Sequence, residues 1–244
     1  ISYRLVGSEM CIRDRRNALT TFDEAIKADE TNGQAYAWKA CALGQGMSRG
    51  FIEGDMAEIW SEAEGCLKKA HELNDNDFEV HRLMAEVNLS GKNFRVAERH
   101  ATKAYKMVPN DPRVLSVYGE VSLRLGKIDQ GLDALKLALE IDPIAQGKTN
   151  SDSRTSPVLF GEYLARNKDN CLQLVQKLED IDPKSWLLTA KLCSDEEHDI
   201  TEEGWYKRGK EEFKDKDWAA EVDSFRLNND GAKESLIEFA TSIF

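Results

Sequence analysis

The chain has 244 residues, of which 41% are hydrophobic and 32% charged, and its formal net charge is −11. This balance fits a folded domain with much exposed polar surface and disfavours binding to DNA or RNA, where a basic stripe supplies most of the affinity. No stretch approaches the run of about 18 apolar residues that spans a bilayer.

Residues 1–15 read ISYRLVGSEMCIRDR, without an initiator Met and without the apolar run of a signal peptide. The part from Leu5 to Arg15 resembles the conceptual translation of a transposase-type sequencing adapter. Residues 1–15 are therefore expected to lie outside the fold, and the chain to be a metagenomic fragment. Residues 16–28 predict an amphipathic helix with Ala18, Phe22, Ala25 and Ile26 on one face. Thr31-Asn32-Gly33 breaks it, and 34–43 predicts the next helix, striped by Tyr36, Ala40 and Leu43. Residues 44–58 hold Gly44, Gly46, Gly50 and Gly54. That spacing invites a phosphate-loop reading. It follows a helix rather than a strand, however, and no Gly-Lys-Ser/Thr completes it, so a lengthened helix–helix loop is expected.

Helices are then predicted over 59–73, 77–90, 94–107, 112–125 and 129–141. Asn76-Asp77 and Asn110-Asp111-Pro112 supply capping side chains at two starts. Gly91 and Gly126 are expected to take positive φ where two of these helices end. Pro109 and Pro143 prevent continuation of two others. Residues 144–156 read as a polar loop, followed by a weaker pair over 157–166 and 169–180 that ends at Pro183. Helix 185–193 precedes an acidic break, SDEEHDITEE. Two registers are open for the remainder. In the favoured one, 185–193 pairs with 203–214. In the other, Trp205, Gly209, Trp218 and Phe225 take the roles of a repeat that begins near Glu202. A last helix is predicted over 232–243.

Sliding the chain against itself by 34 aligns its small residues and its helix stops. Ala63 meets Ala97 and then Gly131; Ala70 meets Ala104 and then Ala138. Asp75 meets Pro109 and then Pro143, while Ala85 meets Gly119. A fixed period of this length marks a solenoid. The expected fold is all-α: antiparallel helix pairs in a right-handed superhelix, with the solenoid over 16–183 and a degenerate repeat plus capping helices over 184–244. Ala85/Gly119, Ala97, Ala104/Ala138 and Pro109/Pro143 resemble the tetratricopeptide repeat family. His81 and Leu115 stand where that family usually has Trp, and Asn88 and Ser122 where it usually has Tyr. The stretch over 16–143 also resembles the repeat arrays found behind class III nucleotidyl cyclase domains and winged-helix regulators.

The resemblance implies a scaffold that binds a protein or peptide segment on the concave face, lined by the first helix of each pair. The alternative is the C-terminal regulatory region of a larger signalling enzyme or transcription regulator. Arg82 and Glu86 are four apart and share a helix face, as do Glu120 and Arg124. Glu86 lies 34 before Glu120, and Glu79 lies 34 before Arg113. A mixed-charge groove of Glu79, Arg82, Glu86, Arg113, Glu120 and Arg124 is expected, floored by Leu89 and Leu123 and suited to a polar or basic peptide. The family's carboxylate clamp would fall on Arg82, Glu86, Ser116 and Glu120, and the acidic residues there argue against it. Cysteines at 11, 41, 66, 171 and 193 form no CxxC pair and are odd in number, which favours unbridged thiols in a reducing, cytoplasmic setting. His71, His81, His100 and His198 lack metal-motif spacing. No cofactor, catalytic constellation, nucleic-acid contact or membrane contact is expected of this region.

Overall fold

Side-chain caps set the helix starts. Asp77 accepts the backbone N–H of Glu79 at 2.8 Å, and Asp111 accepts that of Arg113 at 2.8 Å. Asp55, Asp182, Asp217 and Asn229 do the same elsewhere. The computed structural model describes residues 17–48, 52, 54–145, 148–194 and 199–244. Helix α1 covers 17–28. It is followed by α2 (Gly33–Ser48), α3 (Met56–Leu73), α4 (Phe78–Ser90), α5 (Phe94–Met107), α6 (Pro112–Arg124) and α7 (Ile128–Ile141). Then come α8 (Asp152–Leu164), α9 (Lys168–Val175), α10 (Pro183–Cys193), α11 (Gly204–Glu212), α12 (Trp218–Ser224) and α13 (Asp230–Ile243). Among the described residues there is no β-strand. The segment 1–15, Cys11, His198 and the acidic run 195–197 lie outside them.

The chain is an all-α solenoid of stacked helix pairs. Within each pair α2 lies on α3, α4 on α5, α6 on α7 and α8 on α9. The first helices also touch in succession, α2 to α4 to α6 to α8, and so form one layer. Each second helix bridges to the next pair, as α5 does to α6. Close approach requires small residues. A Cβ on Gly119 would lie 2.9 Å from the backbone oxygen of Gly131, and one on Gly131 the same distance from that of Gly119. Ala70, Ala85, Ala97, Ala101 and Ala104 are fully buried. Replacing Ala104 with Leu should overpack this joint and cost about 1–3 kcal/mol, and Arg more, because it also strands a charge. Urea denaturation that leaves either variant at the wild-type midpoint would place Ala104 outside the joint.

Three expectations change. The positive φ after α4 belongs to Lys92 (φ 60), whereas Gly91 has φ −77. Lys92 is the residue 34 before Gly126 (φ 77), so the period itself points to it. A left-handed non-glycine costs about 1–2 kcal/mol, which packing must offset. Next, α2 runs through Gly44 and Gly46 to Ser48, shortening the expected loop. A Cβ on Gly46 would meet Ile52 Cδ1 at 2.2 Å, so glycine here lets Ile52 fold back onto the helix. Finally, α8 begins at Asp152, five residues before Pro157, which sits inside it. The proline withdraws the N–H that would bond the carbonyl of Ser153, an exposed residue that water can serve.

At the C-terminal end α10 touches α11, α12 and α13. Trp186 is fully buried there, with Tyr206 and Trp218 at centroid distances of 5.5 and 5.9 Å. Its Nε1–H donates to the carbonyl of Tyr206 at 3.2 Å. A Cβ on Gly209 would meet its ring at 2.2 Å. The pairing of α10 with α11 is thus present, inside a cap that also gathers α12 and α13. One apolar core runs from Leu123 on α6 to Ala240 on α13.

Candidate interaction face

The first helices of the pairs, which the expected superhelix turns inward, carry a ladder of charge. Arg82 on α4 donates to Glu79 through Nε at 3.0 Å and Nη2 at 2.6 Å, and through Nη1 to Glu86 at 2.5 Å. Arg113 on α6 reaches back to Glu79 at 3.4 Å and grips Asp111 at 2.7 Å. The repeat-spaced pair Glu79 and Arg113 therefore bridges two inner helices. Arg154 on α8 continues the ladder to Asp142 at 2.8 Å and to the Ser116 hydroxyl. Burial disfavours the Arg82 charge, but Glu79 and Glu86 outweigh it and raise its pKa. The groove walls desolvate the Glu86 carboxylate although it remains 46% exposed, and raise its pKa; Arg82 opposes this and Glu120 adds to it. Glu86 and Glu120 are thus electrostatic neighbours. Beside them opens a cleft of about 420 Å³, lined by Trp38, Cys41, Arg82, Glu86, Arg113 and Arg154. Trp38 is exposed at its edge.

The other sequence-predicted residues sit differently. Leu89 is buried against Ala85, Ala97, Ala101 and Val121, and Leu123 against Leu132 and Leu135. Both belong to the core between helices, so they are not the floor of the groove. The physical reason is rotation: one turn beyond Glu86 the helix face has swung toward α5. Arg124 is also buried. It meets Glu120 at 3.5 Å, donates to the carbonyl of Phe225 at 3.3 Å and lies 4.5 Å from the Phe160 ring centre. Sequence separation of 101 residues hid the Phe225 contact. A second, mostly apolar cavity of about 400 Å³ adjoins the ladder, with Met56, Trp60, Leu83, Val87, Glu86 and Arg226 in its wall.

A polar joint also emerges that the linear spacing concealed. His71 on α3, His81 on α4 and His100 on α5 lie with ring centres 5.1–5.6 Å apart. His81 Nε2 faces the carbonyl of Asp75 at 2.8 Å, and its Nδ1 faces His100 Nδ1 at 2.8 Å. A carbonyl only accepts, so a neutral His81 carries its proton on Nε2, and His100 Nδ1–H must donate to His81 Nδ1. His71 Nδ1 is buried without a hydrogen-bond partner. Adding 34 to each of the three gives Tyr105, Leu115 and Ala134, which pack together at the next joint. The signal was available in the repeat frame, where three histidines replace an apolar set. Among the described residues no group of three or more His, Cys, Asp or Glu could hold a metal ion. Nor is any described helix long and apolar enough to cross a membrane. Burial pushes the Cys171 thiol up to about 12, so it stays neutral.

No family model matches the chain. Over 105 residues it is 30% identical to U-box domain-containing protein 70 of Oryza sativa subsp. japonica, covering 42% of this chain and 13% of that protein. The chain spans only 13% and 11% of the lengths of two curated relatives that it matches. The structure of PilF from Pseudomonas aeruginosa superposes with a TM-score of 0.59 at 16% identity, covering 86% of this chain and 88% of that one. A chain of the APC/C hetero-tetramer Cut9–Hcn1 gives a TM-score of 0.60 at 11% identity, covering 94% of this chain and 40% of that one. At these identities the likeness is one of fold. Stacked helix pairs, the 34-residue spacing and these superpositions together define a tetratricopeptide-like helical-repeat solenoid.

Proposed function

We propose that the inner face is a protein-interaction surface that receives an extended segment of a partner, without catalysis. One observation carries the reading. Glu79, Arg82, Glu86 and Arg113 form a single network across two inner helices, and its open end borders a cleft with an exposed Trp. Buried, mutually bonded charges hold their geometry, and an open carboxylate beside an aromatic side chain suits a polar or basic segment. Glu120 adds to the negative end beside Glu86. The match to a chain of a hetero-tetramer supports the same class of role.

The test places a photo-crosslinking residue at position 38 and compares the wild-type background with Glu86→Lys. Partner capture should fall at least tenfold in the variant. The melting temperature should drop by no more than about 2–4 °C, because one half-exposed ion pair contributes about 1 kcal/mol. Undiminished capture by the folded variant would remove this face from consideration. A second reading makes the array the regulatory region of a larger protein, of nucleotidyl cyclase or winged-helix regulator type. Its support is that the chain matches only a small part of much longer curated relatives.

A further inference from the structure

Glu86 stands in a wall shared by two cavities. The cleft of about 420 Å³ beside Trp38 lies on one side, and the apolar cavity of about 400 Å³ on the other. Cys41 and Gln45 line both as well. The apolar cavity is built by α2, α3 and α4, with Met56, Trp60, Leu83 and Val87 in its wall. Met56 is 50% exposed. Glu64 takes the Trp60 Nε1–H at 2.9 Å, which leaves the ring itself as an apolar surface. Gly44 lines the cavity too. It lies inside α2, where glycine weakens a helix, yet a Cβ there would meet nothing within 4 Å. Packing within the chain does not demand glycine at this place, and its missing side chain widens the cavity. Among the described lining residues only Arg226 comes from outside these three helices. It follows α12 in a left-handed conformation (φ 55), where glycine is the usual residue. Its neighbours Phe225 and Leu227 are buried in the C-terminal core. The Phe225 carbonyl accepts from Arg124 at 3.3 Å, Asn228 donates to the Arg124 carbonyl at 3.4 Å, and Asp223 accepts from Lys92 Nζ at 2.8 Å. Residues other than Arg226 thus hold this turn against the ends of α4 and α6.

We propose that the apolar cavity takes an aromatic side chain of the partner segment, that a basic residue next to it meets Glu86, and that Arg226 stands in the wall as the chain's own competitor. A thioether and an indole ring are favourable neighbours for an aromatic ring, and the volume lies in the range of pockets that seat small ligands. Glu86 can serve the cation without releasing Arg82. Glu79 already accepts two bonds from Arg82, and Arg82 reaches Glu86 through Oε1, so an incoming cation can use Oε2. Arg226 brings the same sign of charge to the wall of the cavity that Glu86 lines, so it opposes that cation. The inference rests on the inner face receiving a partner segment, and it names two adjacent residues of that segment.

Three synthetic peptides test it: Ac-Ala-Ala-Phe-Lys-Ala-Ala-amide, a second with Ser in place of Phe, and a third with Gln in place of Lys. Calorimetric titration in about 50 mM salt keeps the charge contribution visible. The Ser peptide should bind about tenfold more weakly than the first, and the Gln peptide about threefold more weakly. Gly44→Leu fills the cavity from a position with room for a side chain. It should melt no lower than wild type and should bind the Phe and Ser peptides alike. Arg226→Ala leaves the backbone preference unchanged and should tighten the Phe-Lys peptide by about threefold, an effect that the Gln peptide should not share. Equal binding of the three peptides, no binding of the first at millimolar concentration, or a Phe preference that survives Gly44→Leu would each overturn the pocket. So would a Gly44→Leu protein that melts well below wild type, since the room would then be absent. Arg226→Ala binding the Phe-Lys peptide no better than wild type would overturn the competitor. Capture at position 38 that falls with Glu86→Lys but ignores Gly44→Leu would sink the pocket alone. Capture that ignores both would sink the interaction face itself.

Discussion

Gly119→Ala should destabilise the fold by about 1–2 kcal/mol, even though alanine is the better helix former. The helix gains about 1 kcal/mol from the change. Against it stands a methyl group 2.6 Å from Leu135 Cγ and 2.9 Å from the Gly131 carbonyl oxygen. Overpacking of this kind costs typically about 1–3 kcal/mol, and here one obstacle is backbone, which cannot rotate away. Gly131→Ala meets the reciprocal clash with Gly119 O and with Leu123. One pair earlier, Ala85 and Ala97 hold the matching positions and are fully buried. A methyl on each side is therefore tolerated when the helices stand slightly further apart. The double variant should then lose less than the sum of the singles, because α6 and α7 separate once for both. Gly65 is the control. A Cβ there meets nothing within 4 Å, and the residues 34 and 68 later, Arg99 and Asp133, are exposed. Gly65→Ala should gain about 0.5–1 kcal/mol. Urea midpoints in the order Gly65→Ala, wild type, Gly119→Ala are expected. A Gly119→Ala protein as stable as wild type would show that the two helices do not pack backbone to backbone.

The repeat frame explains why so much of the fold was legible before any coordinates. A period reports which positions share an environment, so small residues at 85, 97, 119 and 131 announce helix contacts without naming a partner. Caps are as local: Asp77 and Asp111 act on N–H groups two residues away. The errors came where the frame was read by residue type instead of by position. Gly91 attracted the positive φ because it is glycine, although Lys92 holds the site that Gly126 holds later. Arg124 and Glu120 read as an open pair of the groove, because nothing local shows that Phe225 and Phe160 close over Arg124. That burial alters one expectation for the groove. Glu120 is the near counter-charge of a buried guanidinium, so reversing it strands Arg124 and lowers stability as well as any affinity. Glu86, open at the cleft, is the cleaner probe.

Acidification should loosen the joint between α3, α4 and α5 before any other. Three imidazoles fill it where the following joint has Tyr105, Leu115 and Ala134. Burial first, then His81 and His71, lower the pKa of His100 to about 4, and burial lowers that of His81. Lys103 and Arg99 add to the positive surroundings; Asp75 is the facing acid, and its carbonyl already takes the Lys103 ammonium at 2.6 Å and His81 Nε2. An unfolded histidine titrates near 6.5, above the folded value. Above pH 6.5 His81 and His100 are neutral in both states and the joint contributes in full. Below it the unfolded chain binds protons that the folded chain refuses, so stability falls from about pH 6.5 toward pH 4. A second proton on the His81–His100 pair would set two N–H groups against each other across 2.8 Å, which breaks the contact. The loss should reach about 1–3 kcal/mol, after discounting for the partial exposure of His100. Carboxylates titrate in the lower part of this range, so the comparison must be internal. Replacing His71 by Tyr, His81 by Leu and His100 by Ala transplants the next joint. The triple variant should keep its wild-type fold at pH 7.5 and lose markedly less stability between pH 7 and pH 5. Urea midpoints for wild type and variant that decline in parallel across that interval would show that the three histidines do not govern the joint.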